Sequence, residues 1–317
     1  MGQVFVTRRF PGDALQRLSD AGHAVDVWDG ADPPTAEQLA ERAAEADALG
    51  CTLTDRVDGA LLDRCPRLRT VANYGVGYDN VDVAACSARG VAVSNTPDVL
   101  TDATADLAFA LLLAAARRLP ETRQVVLDGR WGTWEPGEYL GHDVGGATLG
   151  IVGAGRIGEA VARRGAGFGM TVLRTTSRGG TPLEELLERS DFVSLHVPLN
   201  DSTRHLIDRD ALARMKPTAI LVNTARGPVV DTAALTAALH AGEIGGAALD
   251  VTDPEPLPAD HPLLQAPNVL VLPHIGSATT RTRSRMTAIV ADNLLAGLAG
   301  ELLPQAVPAP RDAPAAH

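Results

Sequence analysis

The chain has 317 residues, enough for about two domains, and 45% of them are hydrophobic, which provides for sizeable cores. The formal net charge of −11 argues against nucleic acid as a partner. The three cysteines match no zinc spacing and no disulfide framework, which predicts reduced thiols in a cytoplasmic protein without a metal site. No signal-peptide pattern is visible, and the longest apolar stretch, residues 107–116, is far shorter than the ~20 residues that span a bilayer. We therefore expect a soluble protein without a membrane segment.

Strand-like apolar runs alternate with amphipathic helical stretches along most of the chain, which is typical of α/β folds with parallel sheets. In the first hundred residues, strands are predicted at 4–7, 24–28, 48–53, 70–73 and 91–94, with helices that include 11–21 and 35–46. A long helix is predicted at 101–119, closing at Pro120, and a turn-rich segment follows at 129–146.

A second α/β unit begins at Ala147. Its strands are predicted at 148–152, 171–175, 192–197, 219–223, 247–251 and 269–272. Six strands with intervening helices match the count of a doubly wound dinucleotide fold. A last helix is predicted at 280–299, and the Pro- and Ala-rich tail 304–317 is predicted to be disordered.

A glycine-rich hexapeptide joins the first strand of this second unit to a helix. It reads Gly153, Ala154, Gly155, Arg156, Ile157, Gly158, which fits G-x-G-x-x-G. Glycines allow the tight turn and the approach of the backbone to a pyrophosphate, and the helix N-terminus supplies free N–H groups. An ordinary strand–turn–helix is the alternative, but the position between a buried strand and a helix favours a dinucleotide site.

The acidic residue typical of NAD-specific sites is missing from the end of the second strand. That residue usually follows the glycines by about 20 positions, yet no Asp or Glu occurs between Glu159 and Glu184. The strand ends instead with Arg174 and, after two threonines, Ser177 and Arg178. Guanidinium and hydroxyl groups suit a 2′-phosphate, so we predict that Ser177 and Arg178 bind it and that NADP(H) is preferred, with NAD(H) possible. A solvated basic turn is the alternative.

Three segments after late strands carry a cation, a carboxylate and an imidazole. They contain Arg226, Glu255 and His274, and each follows the carboxyl end of a predicted parallel strand, where ligands bind in such folds. Hydride transfer to a keto acid needs a cation for the substrate carboxylate and carbonyl, an imidazole that delivers the proton, and a carboxylate that orients and charges the imidazole.

Together with the motifs at residues 73–82 (NYGVGYDNVD) and 95–106 (NTPDVLTDATAD), these segments resemble the D-isomer-specific 2-hydroxyacid dehydrogenase family, especially its glyoxylate/hydroxypyruvate reductase branch. The resemblance runs from Asp47 to about Arg285. It implies that Arg226, Glu255 and His274 are catalytic, that Arg226 and His274 also contact substrate, and that N–H groups of Val76 and Gly77 bind the substrate carboxylate beside Leu53. The cofactor contacts implied beyond the glycine-rich loop are Thr104, Pro198, Thr203, Thr224, Ala225, Arg226, Asp250, His274 and Ser277.

The resemblance also implies the domain organisation. A discontinuous, flavodoxin-like substrate-binding domain, residues 1–98 plus 284–317, is expected beside a Rossmann-type dinucleotide domain, residues 99–283, with the active site in the cleft. A homodimer is expected, since the helix at 107–119 is apolar nearly all round and needs burial by its own chain or a partner.

Several alternatives stay open. Phosphite dehydrogenases share residues 75–80 and Cys86, and other D-2-hydroxyacid dehydrogenases share the fold. Glu138, with Tyr139 next to it, stands where hydroxypyruvate-reducing relatives place a bulky apolar residue, which disfavours hydroxypyruvate. A dinucleotide-sensing co-repressor is the non-enzymatic alternative. His196, inside an apolar strand, is predicted to be a hydrogen-bonded core residue, and Asp82 a helix cap.

Overall fold

The computed structural model describes residues 1–309, and the chain divides into two compact units. Unit 1 comprises Met1–Leu100 and the described part of Ser277–His317, whereas unit 2 comprises Thr101–Gly276. These limits differ from the predicted ones, which followed residues 98 and 283. Across residues 1–309, none of the helices combines the length and the apolar character that crossing a membrane requires.

Unit 1 is built on a five-stranded parallel sheet with the order β2-β1-β3-β4-β5. Its strands are β1 (Gln3–Val6), β2 (Ala24–Val27), β3 (Ala48–Cys51), β4 (Thr70–Asn73) and β5 (Ala92–Ser94). Its helices are α1 (Gln16–Asp20), α2 (Ala36–Ala43), α3 (Gly59–Arg64), α4 (Val83–Ala88) and, from the end of the chain, α11 (Thr280–Ala299). This strand order is typical of flavodoxin-like doubly wound sheets.

Helix α11 packs on the sheet of unit 1 although it is distant in sequence. Val290 and Leu294 of α11 are buried in one cluster with Val4 and Val6 of β1. Residues of β1 alternate between the two faces of the sheet, and Phe5 belongs to a second cluster on the opposite face. Unit 1 therefore needs both ends of the chain to cover its sheet.

The chain after α11 continues along the edge strand β5. Ser94 and Ala306 form an antiparallel bridge, and the N–H of Val307 donates to the carbonyl of Val93 over 2.7 Å. The predicted disorder of residues 304–309 is therefore wrong, because an edge strand offers unpaired backbone groups that this segment satisfies. The remainder of that prediction, residues 310–317, lies outside the described residues.

Unit 2 contains a seven-stranded sheet with the order β12-β11-β10-β9-β6-β7-β8. Its strands are β6 (Thr148–Val152), β7 (Thr171–Thr176), β8 (Gly179–Gly180), β9 (Phe192–Leu195), β10 (Ile220–Asn223), β11 (Gly246–Leu249) and β12 (Val269–Val271). Its helices are α5 (Thr101–Ala116), α6 (Leu119–Leu127), α7 (Arg156–Gly167), α8 (Leu183–Arg189), α9 (Arg209–Arg214) and α10 (Thr232–Ala241), with 3-10 turns at Gly227–Val229 and Pro262–Gln265.

Two predictions for unit 2 need correction. The sheet has a seventh strand, β8, which pairs antiparallel with β7 and consists of two glycines, so it gives no hydrophobic signal. The predicted long helix ends at Ala116, and Pro120 lies in the first turn of the next helix, α6, instead of closing the first. Proline is tolerated there because the first-turn N–H groups have no intrahelical partner.

The sheet of unit 2 is covered on both faces. Ile220 and Val222 of β10 belong to the core cluster that contains α5, whereas Leu221 between them belongs to the opposite cluster. Burial on both faces explains why these strands read as continuous apolar runs. Because the long strands are parallel, the loops that follow β6, β9, β10, β11 and β12 all leave from one edge of the sheet.

Candidate active site

The glycine-rich loop lies where the strand order of unit 2 reverses. Strand β6 pairs in parallel with β7 on one side and β9 on the other, and the loop leaves its carboxyl end. Such a switch point is where open α/β sheets bind dinucleotides. His196 was predicted to be a core residue inside the strand, but it follows the last residue of β9 and is half-buried. Its Nε2 lies 2.8 Å from Oγ of Ser194, as a hydrogen-bonded histidine requires, and burial lowers its pKa to about 3.

The three glycines of this loop meet three different surroundings. Gly153 has φ +95°, and a Cβ there would lie 2.7 Å from the carbonyl carbon of His196. A Cβ on Gly158 would lie 2.3 Å from the oxygen of Gly153, so helix α7 packs closely against the turn. A Cβ on Gly155 would meet no described heavy atom within 4 Å. Only the middle glycine therefore leaves open space, which is where a pyrophosphate approaches the backbone.

Two further features of unit 2 fit a dinucleotide. Gly155 is the N-cap of the twelve-residue helix α7 and provides no side-chain cap, so the positive end of the helix dipole faces the glycine-rich loop without a capping side chain from Gly155. The hydroxyl oxygen of Thr224 is buried and has no hydrogen-bond partner among residues 1–309. The residues present therefore fit a nicotinamide dinucleotide.

The two arginines at the basic end of β7 have different surroundings. Nε of Arg174 lies 3.1 Å from Oε1 of Glu159 on α7, so this guanidinium is already held by a carboxylate. Arg178 is exposed in the turn between β7 and β8, and within the described chain its guanidinium makes no hydrogen bond or ion pair. The hydroxyl of Thr176 accepts from the N–H of Arg178 (3.1 Å) and donates to the carbonyl of Gly179 (2.9 Å), which fixes the turn.

The imidazole of His274 and the carboxylate of Glu255 are paired. Nδ1 of His274 lies 2.7 Å from Oε1 of Glu255, and the two side chains are 29% and 40% exposed. Burial opposes ionisation of Glu255, but the hydrogen bond and charge of His274, the N–H of Thr252 and the charge of Arg226 outweigh it and lower the pKa of Glu255. Bonding through Nδ1 leaves Nε2 as the imidazole nitrogen that can exchange a proton with a ligand.

Asp250, at the end of β11, fixes the loop that carries His274. One carboxylate oxygen accepts from the N–H of Ile275 and the other from that of Gly276, both over 2.7 Å, and the N–H of His274 donates to the carbonyl of Asp250 over 2.9 Å. These bonds hold His274 at φ +54°, a left-handed conformation that is uncommon outside glycine. Burial raises the pKa of Asp250, although the N–H of Ile275, the charge of His274 and the N–H of Gly276 act in the opposite direction.

The loop that carries Arg226 is fixed by Asn223, which ends β10. The amide of Asn223 donates to the carbonyl of Arg226 (2.9 Å), and its oxygen accepts from the N–H of Ala225 (3.0 Å). A Cβ on Gly227 would lie 1.9 Å from the carbonyl oxygen of Thr252. The Arg226 loop and the turn that carries Glu255 are therefore in direct backbone contact.

The other predicted cofactor contacts lie in several separate segments of the chain. Thr203 donates its hydroxyl to the carbonyl of Pro198 over 2.6 Å, so both lie in one loop after β9. Thr104 is buried near the beginning of α5. Ser277 opens the second segment of unit 1, whereas the predicted dinucleotide domain included it. Asp82 caps α4 by accepting from the N–H of Ala85 (2.8 Å), as predicted.

The predicted substrate-binding loop lies in unit 1, after β4. Val76 and Gly77 are half-buried, and within residues 1–309 neither of their backbone N–H groups donates a hydrogen bond. Leu53 lies against this loop, since a Cβ on Gly75 would be 2.7 Å from a methyl carbon of Leu53. The positioning roles of Asn223 and Asp250 could not be predicted from the sequence, because each side chain acts through backbone groups and leaves no side-chain pattern.

A doubly wound sheet with a dinucleotide-type loop and a His–Glu pair defines a nicotinamide-dependent dehydrogenase. The family profile described as D-isomer specific 2-hydroxyacid dehydrogenase, NAD binding domain, matches residues 109–276. Glyoxylate reductase from Korarchaeum cryptofilum is 50% identical over 317 residues, covering 96% of this chain and 95% of the relative. The chain therefore belongs to the D-isomer-specific 2-hydroxyacid dehydrogenase family, whose members are oxidoreductases.

Solved structures agree with this assignment. The TT0316 protein of Thermus thermophilus has a TM-score of 0.91 and 49% identity, covering 96% of this chain and 100% of that one. The NADPH-dependent glyoxylate/hydroxypyruvate reductase of Sinorhizobium meliloti, solved with NADP and malonate, has a TM-score of 0.84 and 34% identity, covering 96% of each chain.

The surroundings of the glycines predict opposite defects for two alanine variants. Gly155→Ala should leave the midpoint of thermal unfolding nearly unchanged but weaken dinucleotide binding, because its methyl group enters the open space beside the loop. Gly158→Ala should lower the unfolding free energy by about 1–3 kcal/mol, because its Cβ overlaps a backbone oxygen. Thermal unfolding without ligand and calorimetric titration with NADPH would measure both. Equal effects of the two variants on stability would contradict this division of roles.

Proposed function

We propose that the protein reduces glyoxylate, or a closely related small 2-oxo acid, with NADP(H) as the preferred cofactor. The observation that carries this proposal is the 2.7 Å pair of His274 and Glu255, which lies at the same sheet edge as the glycine-rich loop. The glyoxylate reductases among its relatives support the choice of substrate. A cytoplasmic location is also proposed, on the ground that all three cysteines are buried free thiols.

The proposed division of labour follows the two units. Unit 2 corresponds to the domain predicted at residues 99–283 and binds the dinucleotide, which supplies hydride when bound. Unit 1 corresponds to the domain predicted at residues 1–98 and 284–317, and it binds the substrate carboxylate through the N–H groups of Val76 and Gly77. Arg226 holds and polarises the substrate, and protonated His274 gives a proton from Nε2 to the carbonyl oxygen. Glu255 orients the imidazole through Nδ1 and stabilises its positive charge.

The exposed Arg178 supports the preference for NADP(H), because a free guanidinium can form charge-assisted bonds with a 2′-phosphate. Reduction of glyoxylate should show a higher kcat/KM with NADPH than with NADH. Arg178→Ala should weaken NADPH binding by about 1.5–3 kcal/mol, roughly tenfold to a hundredfold in Kd, and leave NADH binding nearly intact.

Arg214→Ala is the matched control, since Arg214 is also exposed but pairs with Glu188 over 3.1 Å on another part of unit 2. It should change neither cofactor's Kd. A parent kcat/KM that is higher with NADH would refute the cofactor preference. No absorbance change at the nicotinamide wavelength with either cofactor and glyoxylate would refute the proposed reaction.

The lowered pKa of Glu255 predicts a pH effect. A carboxyl group with a lowered pKa stays ionised throughout the neutral and alkaline range, so Glu255 can stabilise a protonated His274 there. Glu255→Gln keeps the shape but removes the charge, and the reductive kcat/KM should then begin to fall at a lower pH than in the parent. Asp253→Asn, which removes a nearby carboxylate, should leave the profile unchanged. Superimposable pH profiles for the parent and Glu255→Gln would show that the charge of Glu255 does not stabilise the protonated form of His274.

A homodimer joined through unit 2 is also proposed. Helix α5, the apolar helix from which the dimer was predicted, is largely buried by its own unit, so the support comes from elsewhere. Large apolar side chains are exposed on α6 and in the segment after it, namely Leu119, Val126, Leu127, Trp131, Trp134 and Leu140. Exposed apolar side chains concentrated in one segment mark association surfaces.

Sedimentation equilibrium should therefore give about twice the mass of one chain, 33.0 kDa, at micromolar concentration. Replacing Val126 and Leu127 by glutamate should shift the protein towards the monomer, because burying charge at an interface is unfavourable. The matched control, Leu302→Glu, changes an apolar side chain that is 96% exposed in unit 1 and should leave the mass unchanged. A parent protein that sediments as a monomer would contradict the proposal.

A further inference from the structure

The carbonyl groups of the loop after β4 are held in place by three successive hydrogen bonds. The carbonyl of Gly75 accepts from the backbone N–H of Thr96 over 2.9 Å, and that of Val76 accepts from the side-chain amide of Asn95 over 2.7 Å. The carbonyl of Gly77 accepts from the side-chain amide of Asn73 over 2.8 Å. Residues 73, 95 and 96 therefore bind three consecutive peptide units from the carbonyl side.

Because the peptide unit is planar, these bonds to the carbonyls also determine the direction of the N–H groups. In a trans peptide unit the C=O of one residue and the N–H of the next point in opposite directions. Holding the carbonyl of Gly75 therefore points the N–H of Val76 away from Thr96. Holding the carbonyl of Val76 likewise points the N–H of Gly77 away from Asn95. Neither the N–H of Val76 nor that of Gly77 donates a hydrogen bond within residues 1–309.

The two asparagines are anchored differently, Asn73 through its buried side chain and Asn95 through its backbone. Asn73 is fully buried at the end of β4, and its Oδ1 accepts from Nδ2 of Asn80 over 3.2 Å. That same Nδ2 also donates to the carbonyls of Thr52 (3.0 Å) and Asp55 (2.9 Å), in the loop after β3. The N–H of Asn95 donates to the carbonyl of Gln305 over 3.4 Å. A buried amide whose oxygen is also bound, such as that of Asn73, presents its donor with little loss of side-chain entropy.

We propose that Asn95, with Asn73 supporting the next peptide unit, is a positioning residue for carboxylate binding. Its amide does not bind the substrate; it orients the peptide unit whose N–H does. The inference rests on the proposed function, since it takes the anion to be the carboxylate of a 2-oxo acid. A carboxylate binds well only where the donors are already oriented, because each misdirected N–H costs a charge-assisted hydrogen bond.

The test compares Asn95→Asp and Asn95→Ala with the parent holoenzyme. An ionised aspartate has nearly the same shape as asparagine but cannot donate to the carbonyl of Val76. Both variants should raise KM for glyoxylate roughly tenfold to a hundredfold, with kcat at saturation within about threefold of the parent. The Kd for oxamate, a non-reducible 2-oxo acid analogue, should rise by a similar factor in the presence of NADPH. The Kd for NADPH alone should not change.

The matched control is Asn268→Asp in unit 2. The amide of Asn268 also holds a backbone carbonyl, that of Gly245, over 2.8 Å, but this bond lies outside the loop. This variant should leave KM for glyoxylate and Kd for oxamate unchanged even if it lowers the melting temperature. A KM that rises equally in Asn268→Asp would show that the effect of Asn95 is merely structural.

The outcomes separate this inference from the proposed function. If the parent reduces glyoxylate but Asn95→Asp leaves KM and the oxamate Kd unchanged, or lowers only kcat, the positioning role is overturned and the function stands. If the parent reduces no 2-oxo acid yet binds oxamate, and Asn95→Asp weakens that binding, the function is wrong and the positioning role stands. A parent that binds no oxamate would overturn the positioning role as well.

Discussion

The carboxylate of Asp250 is the constraint on which the geometry of the candidate site depends. By accepting from the N–H groups of Ile275 and Gly276, it holds the chain after β12 in a turn that puts His274 at φ +54°. A left-handed residue other than glycine is strained, and such strain persists only where the surroundings determine it fully. Asp250 satisfies one half-buried and one buried donor in this way, and the imidazole lies within hydrogen-bond distance of Glu255.

Close packing between backbone segments also holds the residues of the candidate site in position. The loops after β10 and β11 meet at Gly227, where no side chain could fit against the carbonyl of Thr252, and the turn after β6 meets β9 at Gly153. Contacts between backbones are stiffer than contacts between long side chains. A general acid and the group that orients it work only within a narrow range of distance and angle, so rigid support of this kind suits them.

Unit 1 also has rigidly supported backbone, but here side-chain amides hold the backbone in place of close packing at glycines. The carbonyls of Val76 and Gly77 are bound by buried or half-buried asparagines, while the N–H groups of Val76 and Gly77 donate no hydrogen bond within the described residues. A rigid peptide plane thus transmits the position of a buried side chain to a donor on its far side. The residues that determine anion binding in such a loop are therefore not confined to those that would touch the anion.

The two parallel-sheet folds, the glycine-rich loop and the family could be predicted from the sequence, because buried parallel strands and phosphate loops leave strong local patterns. It did not reveal β8, whose two glycines have no hydrophobic periodicity, or the pairing of residues 304–309 with β5, which depends on an edge strand more than 200 residues earlier. Arg174 and Arg178 are equivalent in a sequence pattern, yet only the fold shows that Glu159 holds Arg174. The direction of a peptide plane and the closeness of two backbones leave no pattern in neighbouring residues, so the side chains that orient the site could be identified only from the folded chain.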